Sequence, residues 1–251
     1  MSSNQTPDWQ PLKRSRAHEM VIDAIEEQIM AGLLRVGDPL PPERELAARL
    51  QVSRAGVREA VRVLESDGIL RSQRGAGPEA GTFVSALPRQ GLTRLLRLHV
   101  ALANFPMTDV VDARVVLERS SAERAASNAS TAARAEMRAA LARMDAPEVS
   151  REAFNDADTD FHIAIAEAGG NELVASLTAA IRGALRIPIQ QAVRAVEHWD
   201  SLADRLRQDH RGILDAIEAG DGPTAARLTE EHIRRSATDL PAGFGGVTEP
   251  T

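Results

Sequence analysis

Asp158 and His162 stand four residues apart in the run Asp158-Thr159-Asp160-Phe161-His162. On a helix that spacing presents a carboxylate and an imidazole to one point, one turn apart. His162 shares its stripe with Phe154, Phe161 and Ile165, where an apolar residue belongs. Two further histidines break apolar faces in the same way: His210, between Leu206 and Ile213-Leu214, and His232, at helical spacing from Ala225 and Leu228. For any one of them, a hydrogen-bonded core histidine is the simpler reading. Four polar groups on the inward faces of three helices are harder to reduce to that. A carboxylate with three imidazoles suits Zn²⁺, Ni²⁺, Mn²⁺ or Fe²⁺, with positions left for water or a ligand. Asp160 points off the Asp158/His162 face, and no other general base stands at a recognisable spacing, so the set reads as a binding site and not as catalytic machinery.

A second group of residues concerns nucleic acid. In Ser53–Glu65, Val57, Val61 and Leu64 form one helical stripe and Arg54, Arg58 and Arg62 another. Ser53 suits an N-cap and Asp67-Gly68 a stop. Ala55 and Gly56 are small enough for close approach to a major groove, where arginines reach phosphates or guanine edges. The stripe alone reads equally as the solvated face of an amphipathic helix.

The elements that would hold these residues follow from the flanking pattern. Residues 1–14 carry no periodicity and read as a disordered tail. A helix is expected from Ser15 to Ala31, closed by Gly32, with Gly37-Asp38-Pro39 as a turn. A second helix is expected over Glu43–Leu50, joined through Gln51-Val52-Ser53 to the arginine helix, which makes a helix-turn-helix. Ile69–Gln73 and Thr82–Ser85 flank a glycine loop as a hairpin, giving a winged helix-turn-helix over 15–85. Residues 86–91 are expected as a linker. An all-helical bundle follows over 92–240, with segments near 92–103, 108–128, 131–145, 148–169, 171–195, 198–219 and 223–238, and a kink or split at Pro188. A tail covers 241–251.

Bulk composition agrees with a mainly α fold. The 251 residues are 43% hydrophobic and only 3% aromatic, so the core must be aliphatic and alanine-rich. No cysteine is present, which excludes disulfides and thiolate zinc sites and fits a cytoplasmic protein. No apolar run approaches the ~18 residues of a membrane span, and the N-terminus lacks a secretory core. The net charge is −6, yet residues 44–74 hold seven arginines against four acids. A local basic surface on an acidic chain suits a specific DNA reader, because the acidic part suppresses non-specific binding.

Residues 15–85 resemble the GntR family of transcription regulators. The resemblance is carried by Gly32–Ala47, Val52-Ser53-Arg54, Val57-Arg58-Glu59-Ala60, Leu64–Leu70 and Gly81-Thr82-Phe83-Val84. It implies DNA contacts by Arg44, Arg54 and Arg58, with Gly75 and Gly81 in the wing. Members often carry Thr where this chain has Ala55-Gly56. The second half resembles the FCD ligand-binding domain of the FadR subfamily through Asp112–Glu118, Asp158–His162, Ala168–Asn171, Asp209–Ile217 and Gly220-Asp221 before His232. That resemblance implies a divalent metal on Asp158, His162, His210 and His232, and a small carboxylic-acid effector. Arg114 matches a position facing the cavity, although Glu118 four residues on could simply pair with it. Arg186 and Asn171 are further effector candidates, and Asn171 would also serve as a helix cap. His18, His99 and His198 match no ligand position. The function expected is that of a non-enzymatic, homodimeric, ligand-responsive DNA-binding repressor. A metal hydrolase and a purely metal-sensing regulator are the alternatives.

Overall fold

The computed structural model describes residues 17–73, 81–85, 89–102 and 104–240. The chain divides into two compact units, and the division falls between Gly91 and Leu92. Among the described residues there are ten helices and one two-stranded sheet.

In the first unit, α1 (Ala17–Met30) buries Val21 and Ile25. Helices α2 (Glu43–Leu50) and α3 (Arg54–Ser66) are joined by three residues. Gln51 takes the left-handed conformation, φ 54°, that glycine usually supplies in such a turn. Ser53 caps α3 by accepting the Gly56 N–H at 3.1 Å. Strands β1 (Leu70–Gln73) and β2 (Gly81–Val84) pair antiparallel, Leu70 opposite Val84 and Gln73 opposite Gly81. The stretch read as a plain turn does more than turn: Pro39 bridges to Phe83, and the Leu40 N–H donates to the Thr82 carbonyl at 2.7 Å. It lines the free edge of β2 and so protects it. Val57, Ala60, Val61 and Leu64 close the core against α1 and the hairpin. The tip of the wing, Gly75 included, lies outside the described residues, as do the expected tails 1–14 and 241–251 and residues 86–88 of the expected linker.

The second unit is built from α4 (Arg89–Ala101), α5 (Met107–Asn128), α6 (Thr131–Met144), α7 (Arg151–Ala168), α8 (Glu172–Arg194), α9 (Trp199–Glu218) and α10 (Gly222–Asp239). Two expectations need correction. The linker ends at residue 88, because Arg89, Gln90 and Gly91 already form the first turn of α4. A glycine there costs about 1 kcal/mol against alanine and does not stop a helix. Helix α7 begins at Arg151, not 148: Glu148 is left-handed, φ 55°, and Ser150 caps the helix by accepting the Ala153 N–H. Of the kink or split expected at Pro188, the split is absent: α8 is one helix from Glu172 to Arg194.

Alanine sets how closely these helices pack. Ala122, Ala125, Ala140, Ala157, Ala164 and Ala225 are buried among Met137, Met144, Phe154, Phe161, Ile213 and Ile217. Each large side chain so buried contributes about 1.5–3 kcal/mol. Short side chains at the crossings bring the α5, α7, α9 and α10 backbones near enough for polar groups from several helices to meet.

Candidate metal centre and candidate nucleic-acid interface

The bundle brings Asp158 and His162 of α7, His210 of α9 and His232 of α10 together, with one ligand atom of each lying within 4.8 Å of all the others. His162 Nε2 is 3.3 Å from His210 Nε2. Asp158 Oδ1 is 3.0 Å from His210 Nε2 and 4.0 Å from His162 Nε2. The His162 and His232 rings stack at 5.2 Å, and Phe161 meets His162 and His210 edge-on. The three imidazoles are 0–3% exposed.

Donor atoms about 2.0–2.1 Å from one ion stand roughly 3–3.5 Å apart, so the closest spacings here fit a shared divalent ion. The protonation of the ring nitrogens agrees. His162 Nδ1 donates to Glu118 Oε2 at 2.9 Å, and His232 Nδ1 faces Asp209 Oδ2 at 3.4 Å. Each contact leaves Nε2 as the unprotonated nitrogen. His210 Nδ1 is buried with no partner among the described residues.

Burial, then the neighbouring Arg182, pushes His162 down to about 3. Burial, then His210, pushes His232 down to about 4. Both imidazoles are therefore neutral near pH 7, as metal ligands must be. Burial alone would raise the Asp158 and Glu118 carboxyls, but Arg182 acting together with His210 and His162 on Asp158, and with Arg114 and His162 on Glu118, outweighs it and holds both well below the usual carboxylate range.

Arg182 is the residue that sequence reasoning missed. It comes from α8 and is fully enclosed, with Nη2 2.6 Å from Glu118 Oε2 and Nη1 2.8 Å from Asp158 Oδ2. Its signal was present, an arginine on the stripe Ala175–Thr178–Arg182–Leu185, which is otherwise small or apolar. Glu118, read only as a partner for Arg114, also takes Arg182 and His162. Asp209, beside His210 in sequence, stands behind His232.

The three effector candidates separate. Arg114 is buried, with Nε 2.9 Å from Glu118 Oε1, and it lines a cavity together with Asp158 and His232. The pairing and the cavity-facing position therefore both hold. Asn171 does not belong to that site: its Oδ1 accepts the Val174 N–H at 3.2 Å, and it is the exposed cap of α8. Arg186 does not either. Its guanidinium forks onto Asp156 with two 2.6 Å bonds on an exposed face.

On the first unit, Arg44, Ser53, Arg54, Ala55 and Arg58 are all exposed. Among the described residues, Arg44 and Arg54 have no ion-pair partner, and Arg58 makes only a long 3.4 Å contact to Glu43. With no acid in its first turn, α3 presents unpaired N–H groups and arginines together, an arrangement suited to phosphate. Gly56 is a correction. A Cβ there would stand 3.0 Å from Ala17 Cβ, so the glycine lets α1 and α3 approach each other and does not face outward. Gly81 opens β2 at the base of the wing.

Known proteins match each half of the chain. Residues 17–84 match the family described as bacterial regulatory proteins, gntR family, and residues 109–235 match the FCD domain. The chain is 30% identical over 230 residues to the HTH-type transcriptional repressor NanR of Citrobacter rodentium, covering 89% of this chain and 85% of that protein. It is 28% identical over 230 residues to the Glc operon transcriptional activator of Escherichia coli K12, covering 88% of each. A solved structure of Streptococcus agalactiae GntR superposes with a TM-score of 0.57 at 25% identity, over 87% of this chain and 98% of that one.

Proposed function

We propose a ligand-responsive repressor, on the premise that the chain belongs to the gntR family of bacterial regulatory proteins and carries an FCD domain. The winged helix makes it a DNA-binding transcription regulator. Within that role, Arg44, Arg54 and Arg58, with Ser53 and Ala55 at the start of α3, contact operator DNA. Two copies of the chain read a palindromic site. No helix among the described residues is long and apolar enough to cross a membrane, and we place its action in the cytoplasm.

The observation that carries the regulatory half is the convergence of Asp158, His162, His210 and His232 beside a cavity that Arg114 also lines. These four side chains hold a divalent ion, one of Zn, Ni, Mn or Fe. When bound, the ion supplies a Lewis-acidic position for an anionic ligand. Glu118 and Asp209 orient two of the imidazoles, and Arg182 keeps Asp158 ionised. The Arg114 guanidinium offers an incoming carboxylate its second contact. The acid changes operator affinity only as far as it binds one arrangement of the dimer more tightly than another.

The test compares the full chain with His210→Ala. Elemental analysis should find one divalent ion per wild-type chain and none in the variant. A gel shift with the operator should respond to acid in the wild type alone. Stoichiometric metal in the variant would remove His210 from the ligand set.

A further inference from the structure

The cavity beside the metal centre is chemically lopsided. Its walls include Phe154, Ile189, Val193, Trp199, Leu202 and Leu206. Two of its polar groups are already engaged within the chain. The Ser236 hydroxyl donates to the His232 carbonyl at 2.7 Å, and the Asn155 amide donates to the Arg186 carbonyl at 3.4 Å. Arg114, Asp158 and His232 carry the charge and all three belong to the metal-centre end, while the Trp199 indole N–H is a polar atom among the apolar walls.

The apolar walls extend away from that end along the helices. Phe154 lies eight residues before His162 on α7, and Leu206 and Trp199 lie four and eleven residues before His210 on α9. Ile189 and Val193 lie seven and eleven residues after Arg182 on α8. At 1.5 Å per residue, the apolar part runs on the order of 6–16 Å from the charged part. The cavity volume is about 50 Å³, small enough that only a short chain fits.

We infer that the acid taken by this cavity is a monocarboxylate with a short apolar tail, in preference to a polyhydroxylated or dicarboxylic acid. The inference rests on the carboxylate reading of the site and specifies its ligand. A hydroxyl or second carboxylate placed among Phe154, Val193 and Leu206 would lose its water, and none of those three side chains carries a polar atom to replace it. A methylene in the same place gains by leaving water.

Isothermal titration of the nickel-loaded full chain with straight-chain acids from propionate to octanoate tests this. The dissociation constant should fall about fourfold per added methylene as far as hexanoate and then level off. Gluconate, of equal carbon count, should bind at least tenfold more weakly than hexanoate, and hexanamide should bind weakly for want of the charge. Leu206→Asn, at a half-buried position, should flatten the series, with Trp199→Gln as a second variant should the first unfold. A flat series, or gluconate equal to hexanoate, overturns the apolar tail and leaves the carboxylate reading standing. Hexanoate no better than hexanamide, or no acid bound at all, overturns both.

Discussion

Arg44 and Arg54 in the winged-helix unit stand in solvent without an ion-pair partner among the described residues, whereas Arg182 in the helical unit is 3% exposed and makes 2.6–2.8 Å contacts to two carboxylates. The same side chain serves opposite purposes. An exposed guanidinium keeps its hydration and gives little to its own fold, so it can exchange water or a weak partner such as Glu43 for phosphate at small cost. A buried guanidinium has lost its water for good, and its worth depends on every partner staying in place. The first kind can be altered with effects confined to a partner molecule. The second kind cannot be altered without disturbing its own unit.

That contrast has graded consequences. Arg182→Leu should cost about 3–5 kcal/mol, read by urea unfolding of the full chain, because Glu118 and Asp158 would stay buried without compensation. A loss below about 1 kcal/mol would show that water reaches the network and that the contrast is weaker than drawn. Arg54→Ala should cost about 1–3 kcal/mol in operator binding with no change in melting temperature. An unchanged gel-shift affinity would take Arg54 out of the interface.

Glu118→Gln keeps the shape of the side chain but gives up its charge. It should weaken metal binding about 10–100-fold, measured by competition with a chromophoric chelator on protein shown to be folded by circular dichroism. Equal affinity would mean that Glu118 does not set the His162 tautomer. Asn171→Ala, the mildest change, should cost about 1 kcal/mol of stability through the lost cap and leave acid binding intact. The reverse pattern would return Asn171 to the effector site.

The two units were legible in the sequence to different depths. The helix-turn-helix is local: caps, turns and apolar stripes within thirty or so residues specify it, and Ser53, Val57 and Leu64 sit where periodicity puts them. Gly56 misled, because a small residue at a helix N-terminus fits close approach to DNA and close approach to another helix equally well. Only the position of Ala17 decides between them. In the bundle, His162, His210 and His232 were visible because each breaks an apolar stripe. Arg182 breaks one too, but arginines so often carry their charge out to solvent that this one passed as ordinary. Arg186 was misplaced because sequence gives a residue's helix but not which neighbour it meets across the bundle, and Asp156 met it first. Asn171 was legible in its other role, the local cap of α8.

The Glu118 carboxylate serves Arg114, Arg182 and His162 at once. This has a consequence for how such a chain can drift. An isolated buried ion pair can be traded for an apolar pair by two substitutions, with little lost and sometimes a gain. Here that trade would leave His162 without its acceptor and Asp158 without its guanidinium. Substitution at any one of these positions is thus penalised until the others change with it, and Arg114, Glu118, Asp158, His162 and Arg182 should be inherited as a block. Lineages that abandon the ion are free to abandon the whole block, and those that keep it should show all five positions held together while the surface around them diverges.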